Sequence, residues 1–108
     1  MIPEKVKIAG MDWTIEEDRE ETEHGRYFGT TRHSTCSIYV DPKVSKSRKQ
    51  QTVCHEILHA LSAELLDTKG ELTEAQVQAV GAGLYQVMRD NPGLVAWLME
   101  SEPEGEGK

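Results

Sequence analysis

The sequence predicts an α+β fold, a small N-terminal antiparallel sheet followed by two main helices. Three observations carry this reading. Apolar and polar residues alternate in strand fashion over parts of the first forty positions. From about Ser45 onward the apolar residues recur instead at spacings of three and four, the period of a helix face turned to a core. Between the two regimes stands Asp41-Pro42, a turn signal that ends extended structure.

Taken in order, Val6 and Ile8 alternate with Lys5 and Lys7, Gly10 breaks the run, and Trp13 and Ile15 resume it. The acidic segment 16–23 reads as a loop or a polar hairpin extension. Residues 26–32 fit a short strand, and 35–40 a better one with Ile38 and Val40 on one face. The first helix, about 45–66, sets Val53, Cys54, Ile57, Leu58, Leu61 and Leu65 on its buried side, and Lys69-Gly70 ends the segment. Thr73 has the character of an N-cap with Gln76 at the capping-box position. The helix it opens carries Val77, Val80, Leu84, Val87 and Met88 on one side and stops at Asn91-Pro92. Residues 93–99 add a short helix with Leu94, Trp97 and Leu98.

Length and composition bound the function. At 108 residues, 37% apolar and 29% charged, the chain fits one soluble domain, residues 1–99, with 100–108 an acidic, disordered tail. No run of apolar residues is long enough for a membrane span, and the N-terminus lacks the hydrophobic stretch of a secretory signal. Cys36 and Cys54 are therefore expected as reduced, buried thiols in a cytoplasmic protein. A net charge of −7 argues against general nucleic-acid binding. The local basic run of Lys43, Lys46, Arg48 and Lys49 reads as a solvated helix start rather than a phosphate grip.

The pattern with chemical content is His55-Glu56-Ile57-Leu58-His59. A helix turns about 100° per residue, so side chains four apart lie on one face, one turn above the other. His55 and His59 can therefore share one metal ion, while Glu56 sits on the neighbouring edge within reach of a water at that metal. Zn²⁺ is the ion such a motif takes. A catalytic zinc site has three protein ligands and an open position. The extended form with a third histidine is absent, since Ser62 and Leu65 occupy the needed places. The downstream acids Asp67, Glu71 and Glu74 are the candidates, and Glu74, on the first turn of the next helix, is the most rigidly held.

These residues resemble the small phage- and prophage-encoded zinc metallopeptidases and, more distantly, the ImmA/IrrE-type metallopeptidases. The resemblance rests on Ser37-Ile38-Tyr39-Val40, on residues 51–61 around the histidine motif, on Leu72-Thr73-Glu74-Ala75-Gln76-Val77 and on the ending Leu84-Tyr85-Gln86-Val87-Met88-Arg89-Asp90-Asn91-Pro92. It implies a compact zincin-like fold, an acidic third ligand matched by Glu74, a peptide or protein substrate and, for a phage protein, the host cytoplasm.

Glu56 is then expected as the general base for zinc-assisted peptide hydrolysis. Tyr39, Tyr85 or His33 could add a donor to the oxyanion, and the strand 35–40 could pair with an extended peptide. A different class of function stays open beside this one, a zinc-binding interaction or regulatory module with little or no proteolytic activity.

Overall fold

A computed structural model describes residues 1–65 and 73–102, apart from the side chain of Val77. Strand β1 (Lys5–Ile8) and strand β2 (Met11–Glu17) form an antiparallel hairpin with Ile8 opposite Met11. The two turn residues, Ala9 at φ 50° and Gly10 at φ 80°, both lie in the left-handed region that a tight hairpin turn with native twist demands. Gly10 adopts it freely because it has no Cβ. Strand β3 (Gly29–Arg32) and strand β4 (Ser37–Val40) form a second antiparallel hairpin.

The sheet order is β1-β2-β4-β3, so β4 lies inside and pairs with β2 in parallel, Thr14 opposite Ser37 through Glu17 opposite Val40. The sheet is thus mixed, where alternation along single strands led to an expectation of antiparallel pairing. Parallel neighbours need a long crossover, and the segment from 18 to 36, with β3 inside it, supplies that length. Strand β4 is paired on both sides, which overturns the expectation that 35–40 could receive a peptide; the outer strand is β3.

One face of the sheet places Val6, Ile8, Trp13, Ile15, Ile38 and Val40 in the core. Against them pack Val53, Ile57, Ala60 and Leu61 of helix α1 (Lys46–Leu65), Val87 of helix α2 (Glu74–Asp90), and Leu94 and Trp97 of helix α3 (Pro92–Leu98). The buried stripe of α1 is not the one its apolar residues outline. Thr52 and Glu56 are buried, whereas Cys54 and Leu58 are exposed, so the helix is rotated by roughly 100° from the hydrophobic wheel. Neither cysteine is a buried thiol: Cys36 is half-buried, Cys54 exposed, and both are free.

Helix α2 begins as expected. Thr73 accepts from the Gln76 backbone N–H at 3.2 Å and the Gln76 side chain accepts from the Thr73 N–H at 2.7 Å, a reciprocal capping box. Its face is less buried than its periodicity implies, for Val87 is in the core while Leu84 and Met88 are exposed. Contact with α1 runs instead through Gly83. A Cβ there would stand 2.8 Å from Leu65 Cδ1 and 3.0 Å from Leu61 Cδ2, so any larger residue would require these leucine side chains to shift.

The chain ends of the described region are tied down as well. Gln50 donates to the carbonyls of Trp97 and Glu100, Lys46 pairs with Glu100, and the Ser47 N–H donates to Glu102 at 2.7 Å. The first part of the acidic tail therefore lies against the N-terminus of α1, where carboxylates are stabilised by the unpaired N–H groups. Residues 103–108 lie outside the described residues. Among the described residues no helix is long and apolar enough to cross a membrane.

Candidate metal centre

The third and fourth turns of α1 present His55 and His59 side by side. Their Nε2 atoms are 3.1 Å apart, with ring centroids at 4.8 Å and planes at 75°. Two imidazole nitrogens bound to one tetrahedral zinc at the usual Zn–N length would stand about 3.3 Å apart. The two rings thus converge at nearly the separation that one such ion needs, and both are exposed on the side from which it would arrive.

Glu56, between the two exposed histidines in sequence, is only 6% exposed. A buried carboxylate is costly unless it is hydrogen-bonded, and here the bond comes from the outer strand. Thr31 Oγ1 of β3 donates to Glu56 Oε1 at 2.6 Å. The other oxygen, Oε2, lies 3.8 Å from His55 Nε2, so the carboxylate bridges from the sheet edge to the nitrogen pair. The approach of β3 to α1 depends on Gly29. A Cβ at that position would fall 2.5 Å from Thr52 Cγ2 and 3.2 Å from Glu56 Cγ.

Beside Glu56 opens a cleft of about 330 Å³. Arg48, Gln51 and His55 of α1 line one side, and Tyr27, Phe28 and Gly29 the other. Tyr27 and Phe28 belong to the connection between β2 and β3, which is pinned by a partly buried ion pair. Arg19 Nη1 donates to Asp41 Oδ1 at 3.0 Å, Arg19 Nη2 donates to the His24 carbonyl at 2.8 Å, and the Asp41 N–H donates to the Phe28 carbonyl at 2.8 Å. Asp41 is 3% exposed whereas the Arg19 side chain is 38% exposed, so the carboxylate end of this tie is buried and the guanidinium end is open to solvent.

Residues 10–85, more than half of the chain, match the family Peptidase_M78, the IrrE N-terminal-like domain. The chain belongs to this family. No curated protein and no solved structure matches it. The family match spans β2 to α2 and includes the histidine motif, Glu56 and Glu74. It assigns to this Peptidase_M78 chain a peptidase-type or regulatory function at the level of the family.

The other residues singled out in the sequence fall in different places. Glu74 is the exposed first residue of α2. Among the described residues no group of three or more His, Cys, Asp or Glu side chains stands together so as to hold a metal. Asp67 and Glu71 lie outside the described residues, as do Leu66 and Lys69-Gly70. Cys54 adjoins His55, and partial desolvation pushes its thiol pKa up. None of the three expected oxyanion donors lines the cleft. His33 sits edge-on to Trp13 at 6.0 Å, Tyr39 is half-buried in β4, and Tyr85 is exposed under Arg89.

The cleft residues Tyr27, Phe28 and Gln51, and the partners of Glu56, Gly29 and Thr31, were not legible as site residues. The one local signal is an adjacent aromatic pair leading into a glycine, Tyr27-Phe28-Gly29, on an otherwise polar stretch.

Proposed function

We propose that the chain is a zinc-dependent metallopeptidase in which His55 and His59 hold the metal and Glu56 is the general base. The observation that carries this reading is the convergence of the two Nε2 atoms at 3.1 Å beside a buried carboxylate fixed by Thr31. The residues fit a zinc ion in chemistry, two neutral imidazoles, and in the spacing of their nitrogens. Bound there, zinc supplies Lewis acidity, polarising the scissile carbonyl and acidifying water at the site. Glu56 takes the proton of the attacking water and passes it to the departing amine. Thr31 holds Oε1, which leaves Oε2 on the histidine side free for that transfer. Strand β3, the outer strand nearest Glu56, is the edge to which an extended peptide would add.

Glu74 is the proposed third ligand, with Glu71 and Asp67 as the alternatives. Its place at the start of a helix anchored by a reciprocal capping box favours it, because a rigid first turn can aim a carboxylate. The exposure of Glu74 favours a second reading, a zinc-binding interaction or regulatory module without appreciable proteolysis. The two readings separate in one experiment. Untagged protein purified without added metal should contain near one zinc per chain, and Glu56→Gln should keep that zinc while hydrolysis of unfolded protein disappears. Hydrolysis that survives in Glu56→Gln, or a wild-type preparation that binds no zinc, contradicts the proposal; zinc without hydrolysis in the wild type selects the module.

A further inference from the structure

The cleft beside Glu56 ends, towards the start of α1, in a guanidinium with no anionic partner among the described residues. Arg48, Gln51, Thr52, His55 and Glu56 succeed one another at helical spacings of three and one, a single stripe along α1. Arg48 is held in place by two contacts. Its Cζ lies 4.9 Å from the centre of the Phe28 ring, and its Nη1 donates to Gln51 Oε1 at 2.6 Å. A guanidinium stacked on an aromatic face keeps its in-plane donors directed outward, ready for a planar acceptor.

Nearby cations are treated differently. Lys46 pairs with Glu100 and Lys49 with Glu17, whereas Arg48 and Lys43 make no salt bridge among the described residues, and of these two only Arg48 lines the cleft. A chain of net charge −7 has carboxylates in excess for pairing its cations, yet among the described residues the cation lining this cleft pairs with none of them. Its stacking and its bond to Gln51 also reduce the side-chain entropy lost when a carboxylate binds.

We propose that this end of the cleft is a carboxylate subsite, and that Arg48 selects peptides bearing an acidic side chain or a free C-terminal carboxylate. This rests on the hydrolytic reading of the site and names its substrate class. Eight residues of helix separate Arg48 from Glu56, roughly 12 Å along the axis. An extended peptide covers that span in about three to four residues. The selected carboxylate therefore lies about three residues from the scissile bond, and the guanidinium grips it through two parallel N–H donors.

The test uses labelled peptides in which Glu, Gln or Lys is walked through each position, with free-acid and amidated C-termini. Binding is measured by anisotropy on zinc-supplemented Glu56→Gln protein, and hydrolysis on the wild type. At one position Glu should bind about tenfold more tightly than Gln. If the terminal carboxylate is the ligand, the same margin appears between acid and amide termini. Arg48→Gln, an exposed substitution, should erase the preference without changing zinc content, and Arg48→Glu should convert it to a preference for Lys. No binding, equal binding throughout, or a Glu preference that survives Arg48→Glu overturns the subsite. Arg48-dependent binding without wild-type hydrolysis overturns only the peptidase reading, and hydrolysis without acid selectivity overturns only the subsite.

Discussion

The two outer strands of the sheet, β1 and β3, are finished in opposite ways. The free edge of β1 is closed by a side chain, for the Lys7 N–H donates to Asn91 Oδ1 at 2.9 Å and the Asn91 amide donates to the Lys7 carbonyl at 3.0 Å. Asn91 also donates to the Val87 carbonyl at 2.7 Å, so one residue ends α2 and stands in for a neighbouring strand. Strand β3 has no such cover among the described residues, and no backbone group of Gly29–Arg32 bonds outside its pairing with β4. An unpaired edge is a liability for association, and proteins normally blunt it. Here it is left open beside the cleft and Glu56, where an extended substrate would be received. One edge is closed by a side chain, and the other carries no such bond among the described residues.

The sharpest way to break this contrast is at Gly29. Its replacement by alanine places a methyl group 2.5 Å from Thr52 Cγ2, and strand and helix must separate. We expect a loss of about 3 kcal/mol in denaturant unfolding, together with loss of hydrolysis as Glu56 leaves Thr31; an unchanged midpoint and rate would show that β3 does not position the site. A milder change at the same edge is Thr31→Val, which leaves Glu56 Oε1 without its donor. It should cost about 2 kcal/mol and lower the hydrolytic rate about tenfold, with Thr31→Ser restoring both. Failure of serine to rescue would mean that the threonine methyl, not its hydroxyl, matters. At the closed edge, Asn91→Ala should lower stability by about 1–2 kcal/mol while leaving the rate per folded molecule unchanged. A rate that falls with it would erase the distinction between the two edges.

Much of the fold is legible in local pattern. The β1–β2 hairpin follows from alternation around Gly10, and the capping box at Thr73 and the stop at Asn91-Pro92 follow from side-chain chemistry near the backbone they cap. The parallel β2–β4 pair is not legible, because alternation specifies which face is buried and says nothing of which strand lies alongside. The rotation of α1 escapes the hydrophobic wheel for a related reason. The wheel assigns Glu56 to solvent, and its burial is tolerable only because Thr31, twenty-five residues earlier in the chain, donates to it. Arg48 reads as one of four solvated cations until its position over the Phe28 ring, in the cleft lining, sets it apart.

By itself the sequence determined the α+β layout, the helix that carries His55, Glu56 and His59, and the four-residue spacing that sets the two imidazoles one turn apart on one face. These depend on the fixed geometry of one helix and on caps acting within a turn. Only the tertiary structure decided that Glu56 is buried against β3, that β3 rather than β4 is the open edge, and that Arg48 faces a cleft with Phe28 beneath it. Those outcomes depend on contacts between residues far apart in the chain, where neither periodicity nor spacing has anything to read.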